Sequence, residues 1–233
     1  MARRTPQQEL VAADGMTLDP ALIPTDTAVS TYALIRDETA ERKAATFLLG
    51  DNLERTTQGG GIYTYTSQQG AAAFRDTGSF DAAGSLSQEN AEAFCRDFCK
   101  AFSYDTPIFT LDETGSGTAT AVRLWNGTPV FNAAVTFTID QGRVLSASGA
   151  LLPETGAETS SGQKPLSAFA ALTAFQQMRH ASSSVVSSIT EVSLCYELQS
   201  TTAAPMALVP SWRIVTDTAT FYVNCISGTV RRA

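Results

Sequence analysis

The chain has 233 residues, 43% hydrophobic and 17% charged, and its 16 basic against 23 acidic side chains leave a net charge of −7. That apolar share supports a packed core and argues against global disorder. The acidic balance argues against nucleic acid and against an anionic membrane surface, since both need clustered Lys and Arg, and the most basic clusters, Arg3-Arg4 and Arg231-Arg232, sit at the ends of the chain.

Residues 1–30 carry three prolines and little periodicity, and read as an irregular lead-in or tether. Met-Ala-Arg-Arg mimics the start of a signal peptide, but Thr5 to Glu9 is polar and no stretch reaches the ~18 apolar residues of a membrane span. The chain as written is therefore expected to be soluble, with any anchor belonging to a longer precursor. A first helix is expected from Asp37 to Leu49, with Ala40, Ala44, Phe47 and Leu48 on one face and Gly50 as its stop. Short strands follow at Ile62–Thr66 and Ala71–Phe74, and another ends near Phe80. Ser87 reads as the N-cap of a second helix ending near Phe102, with Glu89 in its first turn. Its apolar stripe is Ala91, Phe94, Cys95, Phe98 and Phe102.

Strands are then expected at Ile108–Leu111, Thr118–Trp125, Pro129–Ile139 and Val144–Ala147. Asn126-Gly127 is a type I′ hairpin signal, and Asp140-Gln141-Gly142 makes the next turn. Along the long strand Phe131, Ala133, Val135, Phe137 and Ile139 alternate with polar residues, which means one buried and one wet face. Residues 153–165 form a polar linker. A third helix runs from Ser167 to Met178, and strands follow at Val192–Leu198, Leu208–Thr216 and Thr220–Ile226. The expected fold is α+β, a repeat of one amphipathic helix on a small antiparallel sheet. Residues 31–152 would form an N-terminal lobe of two such units and 166–233 a C-terminal unit, whose helix-plus-hairpin plan resembles that of PepSY-type modules.

The chemistry-bearing residues are few. Cys95 and Cys99, on adjacent helical turns, read as small core residues; their spacing lacks the paired knuckles of a zinc site. Cys195 and Cys225 lie on strands and could meet as a disulfide across a sheet. His180, the single histidine, follows Arg179 at the end of the third helix, where a cation meets the exposed carbonyls. No Gly-x-Ser-x-Gly elbow accompanies it, so a hydrolase using His180 is the weakest functional reading. Gly59-Gly60-Gly61 precedes a strand and cannot offer a helix N-terminus to phosphate, and Gly115-Ser116-Gly117 is a turn. Asp112 and Glu113 have no partner carboxylate that spacing alone can assign. Neither a catalytic residue, a metal site nor a cofactor is expected.

The run Leu124-Trp125-Asn126-Gly127-Thr128-Pro129-Val130-Phe131, continuing to Phe137 and Gly142-Arg143-Val144, resembles the central hairpin of YycI-type proteins. Val209-Pro210-Ser211-Trp212-Arg213-Ile214, Phe221-Tyr222-Val223-Asn224 and Ser227-Gly228-Thr229-Val230 resemble that family's closing Pro-x-Trp hairpin and Asn-x-x-x-Gly turn. Phe47-Leu48-Leu49-Gly50, with Tyr65 and Phe74, is similar to its first unit. The resemblance implies a non-enzymatic, extracytoplasmic regulatory protein of Gram-positive bacteria, held by an N-terminal transmembrane helix that this sequence does not contain. It would act with a YycH-like protein on a WalK-like sensor histidine kinase.

On the closing hairpin Trp212 and Ile214 share a face and belong to the core. Arg213, Tyr222 and Asn224 take the alternate positions and could present a polar, aromatic surface to a partner. Pro210 suggests an edge strand open to a partner's strand. The alternative function is an extracytoplasmic ligand-binding sensor for a lipid, a peptide or a cell-wall fragment.

Overall fold

The computed structural model describes residues 15–25, 29–87, 90–159, 164–182, 185–200 and 204–233. In chain order its elements are β1 (Thr17–Leu18), β2 (Thr31–Leu34), α1 (Glu38–Leu49), β3 (Glu54–Thr57), β4 (Tyr63–Ser67), β5 (Gly70–Phe74), β6 (Ser79–Gly84), α2 (Ala91–Ala101), β7 (Ile108–Leu111) and β8 (Gly117–Trp125). There follow β9 (Thr128–Asp140), β10 (Arg143–Ala150), β11 (Ala157–Thr159), α3 (Ala168–Ser182), β12 (Ser188–Gln199), β13 (Met206–Thr216), β14 (Thr220–Asn224) and β15 (Val230–Arg232).

This corrects the expected fold class. The chain is 46% strand and 20% helix, and its fifteen described strands belong to one large mixed sheet, with three α-helices. Repeated helix-on-small-sheet units are not what forms. The reason is a ladder between strands distant in sequence: β6 pairs antiparallel with β10, from Ser79 opposite Ala150 to Ala83 opposite Ser146. That ladder joins the hairpins that follow α1 to those that follow α2, so both helices share one sheet.

The chain divides into two compact units. The central one comprises Ala33–Ala157 and Leu198–Leu208. Within it α1 begins at Asp37, whose carboxylate accepts from the Thr39 and Ala40 amides, and ends at Gly50 with φ 81°. Its buried face, Ala44, Ala45, Leu48 and Leu49, shares a core with Ala91, Cys95, Phe98 and Cys99 of α2. Phe98 is central: its ring lies 4.7 Å from Phe102, 5.4 Å from Phe137 and 5.5 Å from Phe47. The helix starts later than the sequence indicates. Asn90, at φ 49°, is the N-cap of α2 and accepts from Ala93 N, while the Ser87 hydroxyl accepts from Val144 N instead. Glu89 lies outside the described residues.

The β8–β9 hairpin turns through Asn126 and Gly127, both at positive φ (49° and 78°), as its sequence requires. Its alternation breaks further along. Val122 faces Ala134 but Arg123 faces Val130, leaving Phe131, Asn132 and Ala133 in a bulge. Val130 therefore enters the buried row in place of the half-buried Phe131. The Asn132 side chain, turned out, clasps the Leu198 backbone with two bonds of 2.8 Å.

The second unit comprises Met1–Tyr32, Glu158–Glu197 and Val209–Ala233. Ser167 caps α3, and Ala168, Ala171, Leu172 and Phe175 pack on Trp212, Ile214, Phe221, Val223 and Cys225. The Trp212 indole donates to the Leu166 carbonyl at 2.8 Å. Residues 15–25, expected to be an irregular lead-in, place Met16 and Ile23 in this core and lay β1 parallel to β12. Pro210 is buried and not on an edge: β13 has β12 on one side and, from Ser211, β14 on the other.

Replacing Phe98 by Ala removes the ring that ties both helices to the sheet. It should cost about 3–5 kcal/mol in denaturant unfolding, with the midpoint lowered and the slope unchanged.

Candidate functional site: a charged face on the closing hairpin

The three residues predicted to meet a partner fall on one surface of the second unit. Arg213 lies opposite Tyr222 across the β13–β14 ladder, and Ser211 opposite Asn224. Tyr222 in turn lies opposite Arg231 of β15. On β12, Glu191, Ser193, Cys195 and Glu197 share the face turned away from Val192, a residue of the α3-covered core.

These side chains hold one another. The Arg213 guanidinium donates to the Glu191 carboxylate at 2.6 Å, and the Ser193 hydroxyl donates to the same oxygen at 2.6 Å. The Ser193 bond first, then Arg213, keeps Glu191 below the usual carboxylate range. Glu197 is 4% exposed, a buried carboxylate whose ion-pair partner is Arg231 and which accepts from the Asn224 amide at 3.5 Å. Burial pushes the Tyr222 phenol up. Asn224 also shapes the turn into β15, where its side-chain oxygen accepts from the Ile226 and Ser227 amides at 2.9 Å each. The structure thus brings Arg213, Tyr222 and Asn224 together and adds Glu191, Glu197 and Arg231, which sequence reasoning missed. Period-two alternation along β12 is the sequence signal that puts Glu191 and Glu197 on one face; that this face meets Arg213 and Arg231 depends on the strand order.

The other predicted residues lie elsewhere. Cys95, Cys99, Cys195 and Cys225 are all free and buried, and burial pushes each thiol up to about 12. Cys195 donates to the Ser211 carbonyl, and the Cys225 amide donates to the Pro210 carbonyl, so β13 lies between them. Two strand spacings, about 9–10 Å, exceed what a disulfide can span. His180 is exposed in the last turn of α3. Among the described residues no group of three or more His, Cys, Asp or Glu could hold a metal ion.

The central unit carries a cluster that spacing did not reveal. Arg36 grips Glu41 with two bonds, 2.7 and 2.9 Å, and also donates to the Gly61 and Phe74 carbonyls. The Tyr63 ring lies between Arg36 at 3.9 Å and Arg55 at 4.0 Å, and its hydroxyl donates to Glu38. Desolvation pushes the Glu41 carboxyl up despite its arginine. Two open concavities lie in the same unit. One of about 470 Å³ has Leu111, Ile139 and Arg143 in its lining, and one of about 390 Å³ has Lys100, Tyr104 and Leu124.

No family model matches the chain. No curated protein matches it either. Several solved structures are similar to it, two of them as follows. One is an uncharacterized protein from Eubacterium rectale, 12% identical with a TM-score of 0.46, over 88% of this chain and 81% of that one. The other is the YpeB C-terminal domain of Bacillus megaterium, 14% identical with a TM-score of 0.39, over 85% of this chain and 98% of that one.

Glu191 offers a direct check on the charged face. Its folded value lies below the ordinary 4.5, so its contribution is complete above that value and is lost as pH falls through the folded one. A carboxyl NMR titration should find its midpoint below the ordinary 4.5. Ser193→Ala and Arg213→Gln should each raise that midpoint.

Proposed function

We propose that the chain is a non-enzymatic regulatory domain that acts by protein–protein contact on the extracytoplasmic side of a bacterial membrane. On this reading it resembles YycI-type proteins in role as well as in hairpin sequence, biasing a WalK-like sensor histidine kinase in company with a YycH-like protein. The observation that carries the reading is the charged face itself. Arg213 and Arg231 are fixed by acids of the same sheet, and Tyr222 lies between them. Side chains already locked in place lose little freedom when a partner docks, so more of the contact energy appears as affinity. Tyr and Arg are also the residue types that dominate binding hot spots. A domain of this kind shifts a two-state kinase by binding one of its states more tightly.

The test is calorimetry of the chain with the extracytoplasmic domains of a WalK-like kinase and a YycH-like protein. Binding is expected, and Tyr222→Ala or Arg213→Glu should weaken it roughly tenfold or more, the cost of losing one hot-spot residue. Absence of binding to both, or affinity indifferent to both substitutions, would overturn the reading.

A second reading, a sensor for a lipid, peptide or wall fragment, draws on the concavity of about 470 Å³ over Leu111 and Ile139. Its size suits a small ligand. Wall-derived fragments in excess should then raise the melting temperature of the wild type and not that of Ile139→Arg.

A further inference from the structure

Arg123 is an unusual residue for the interior: its side chain is 1% exposed. It stands in the buried row of β8 with Ala119, Ala121 and Trp125, opposite Val130 and just past the bulge in β9. Its guanidinium is held mainly by backbone. One terminal nitrogen donates to the Ser103 carbonyl at 2.6 Å and the Leu124 carbonyl at 2.9 Å, and the other to the Leu152 carbonyl at 3.0 Å. The Tyr104 ring lies 5.7 Å from the guanidinium carbon, and the Tyr104 hydroxyl is engaged with the Ala150 carbonyl. The Nε–H has no hydrogen-bond partner among the described residues.

Carbonyls do not neutralise a buried cation. The anion that does so is Glu154, at 3.1 Å, and it is 64% exposed. Its carboxylate also accepts from the Ser103 hydroxyl at 3.2 and 3.4 Å. The pair is thus lopsided: the cation is fixed in the fold by the carbonyls of Ser103 and Leu124, with Leu152 besides, while the anion reaches in from solvent at the start of the segment leaving β10. Exchange of the anion is the easier motion, because water can solvate a departing carboxylate at once. A cation left behind without any anion is costly. The site therefore selects for a replacement anion.

We propose that Arg123, with the Ser103 hydroxyl, is a carboxylate-binding socket, and that Glu154 is its built-in occupant, a strap fastening the start of the 153–165 segment. A planar guanidinium and a flanking hydroxyl donor match a carboxylate in shape as well as charge. An incoming carboxylate would release the strap without breaking any strand of the sheet.

Formate is the probe, with sodium chloride at equal ionic strength as control. Glu154→Ala should lower the melting temperature by several degrees. It should also speed hydrogen exchange of the Leu151–Ala157 amides; formate should restore the melting temperature where chloride does not, and leave the exchange fast because the strap has no carboxylate to refasten it. Glu154→Gln, which keeps an oxygen for Arg123 but no charge, should fall between wild type and Ala and respond less to formate. In the wild type, formate should speed exchange of the same amides roughly threefold or more by competing with the strap. Chloride matching formate in every assay, or exchange in the wild type indifferent to formate, would overturn the proposal.

Discussion

The ladder between β6 and β10 is the constraint on which the central unit rests. It lets strands made after α1 and strands made after α2 continue one another, and the small residues on it decide how closely the layers approach. Ala82 and Ala147 on the ladder, like Ala72 on β5 and Ala119 and Ala121 on β8, are each buried to 3% exposure or less. At Gly149 a β-carbon would stand 2.0 Å from the Ala134 carbonyl oxygen, so any side chain there would separate β9 from β10. Above this low floor the aromatic rings provide the volume: Phe74, Phe80, Phe98 and Phe137 fill the space that alanine leaves beneath two helices.

Buried charge in the molecule follows one rule with two outcomes. Glu41 and Glu197 are buried acids met by arginines that keep contact with solvent or with carbonyls. Arg123 inverts the arrangement, a buried base met by an exposed acid. Removing the partner leaves a desolvated ion in each case, so these pairs set the register of the elements they join more than they add net stability. Arg36 with Glu41 fixes the entry into α1; Glu197 with Arg231 fixes β15 beside β14.

The local elements were legible in the sequence because their signals are local. Asp37 before a helix, Gly50 after it, Asn126-Gly127 and Gln141-Gly142 between strands, and Ser167 before α3 all act within four residues. Trp212 as core follows from parity alone. The joining of the sheet was not legible, because β5, β6 and β10 read GAAAF, SFDAAG and RVLSASGA. Alanine, glycine and serine carry weak strand propensity and say nothing about which distant strand they pair with. The bulge opposite Arg123 was hidden for a related reason: a strict period of two ran through Phe131, and only the partner strand breaks it. Of the charged face, Arg213, Tyr222 and Asn224 followed from hairpin parity. Glu197 and Arg231 required knowing that β15 folds back beside β14, and Arg231 had read as part of a basic tail.

The same sheet explains a composition with only 17% charged residues. The wet face of the central unit is covered mostly by hydroxyls and methyls: Thr118 lies opposite Thr138, Thr120 opposite Thr136, and Ser146 and Ser148 continue both rows onto β10, the second row ending its hydroxyls at Asp81, which pairs with Arg75. Ala83 and Ala71 extend one row across β6 and β5. β-Branched threonine suits a pleated, half-exposed surface and needs no counter-charge. Charge is instead concentrated where pairing has to be controlled. Glu54 and Arg55 lie on β3, at the end of the β6–β5–β4–β3 meander, where charged side chains discourage another strand from adding. Arg213, Arg231 and their acids stand on the closing hairpin. A chain with so few ions places them where geometry has to be specified: at a helix entry, at a sheet edge and along the closing hairpin.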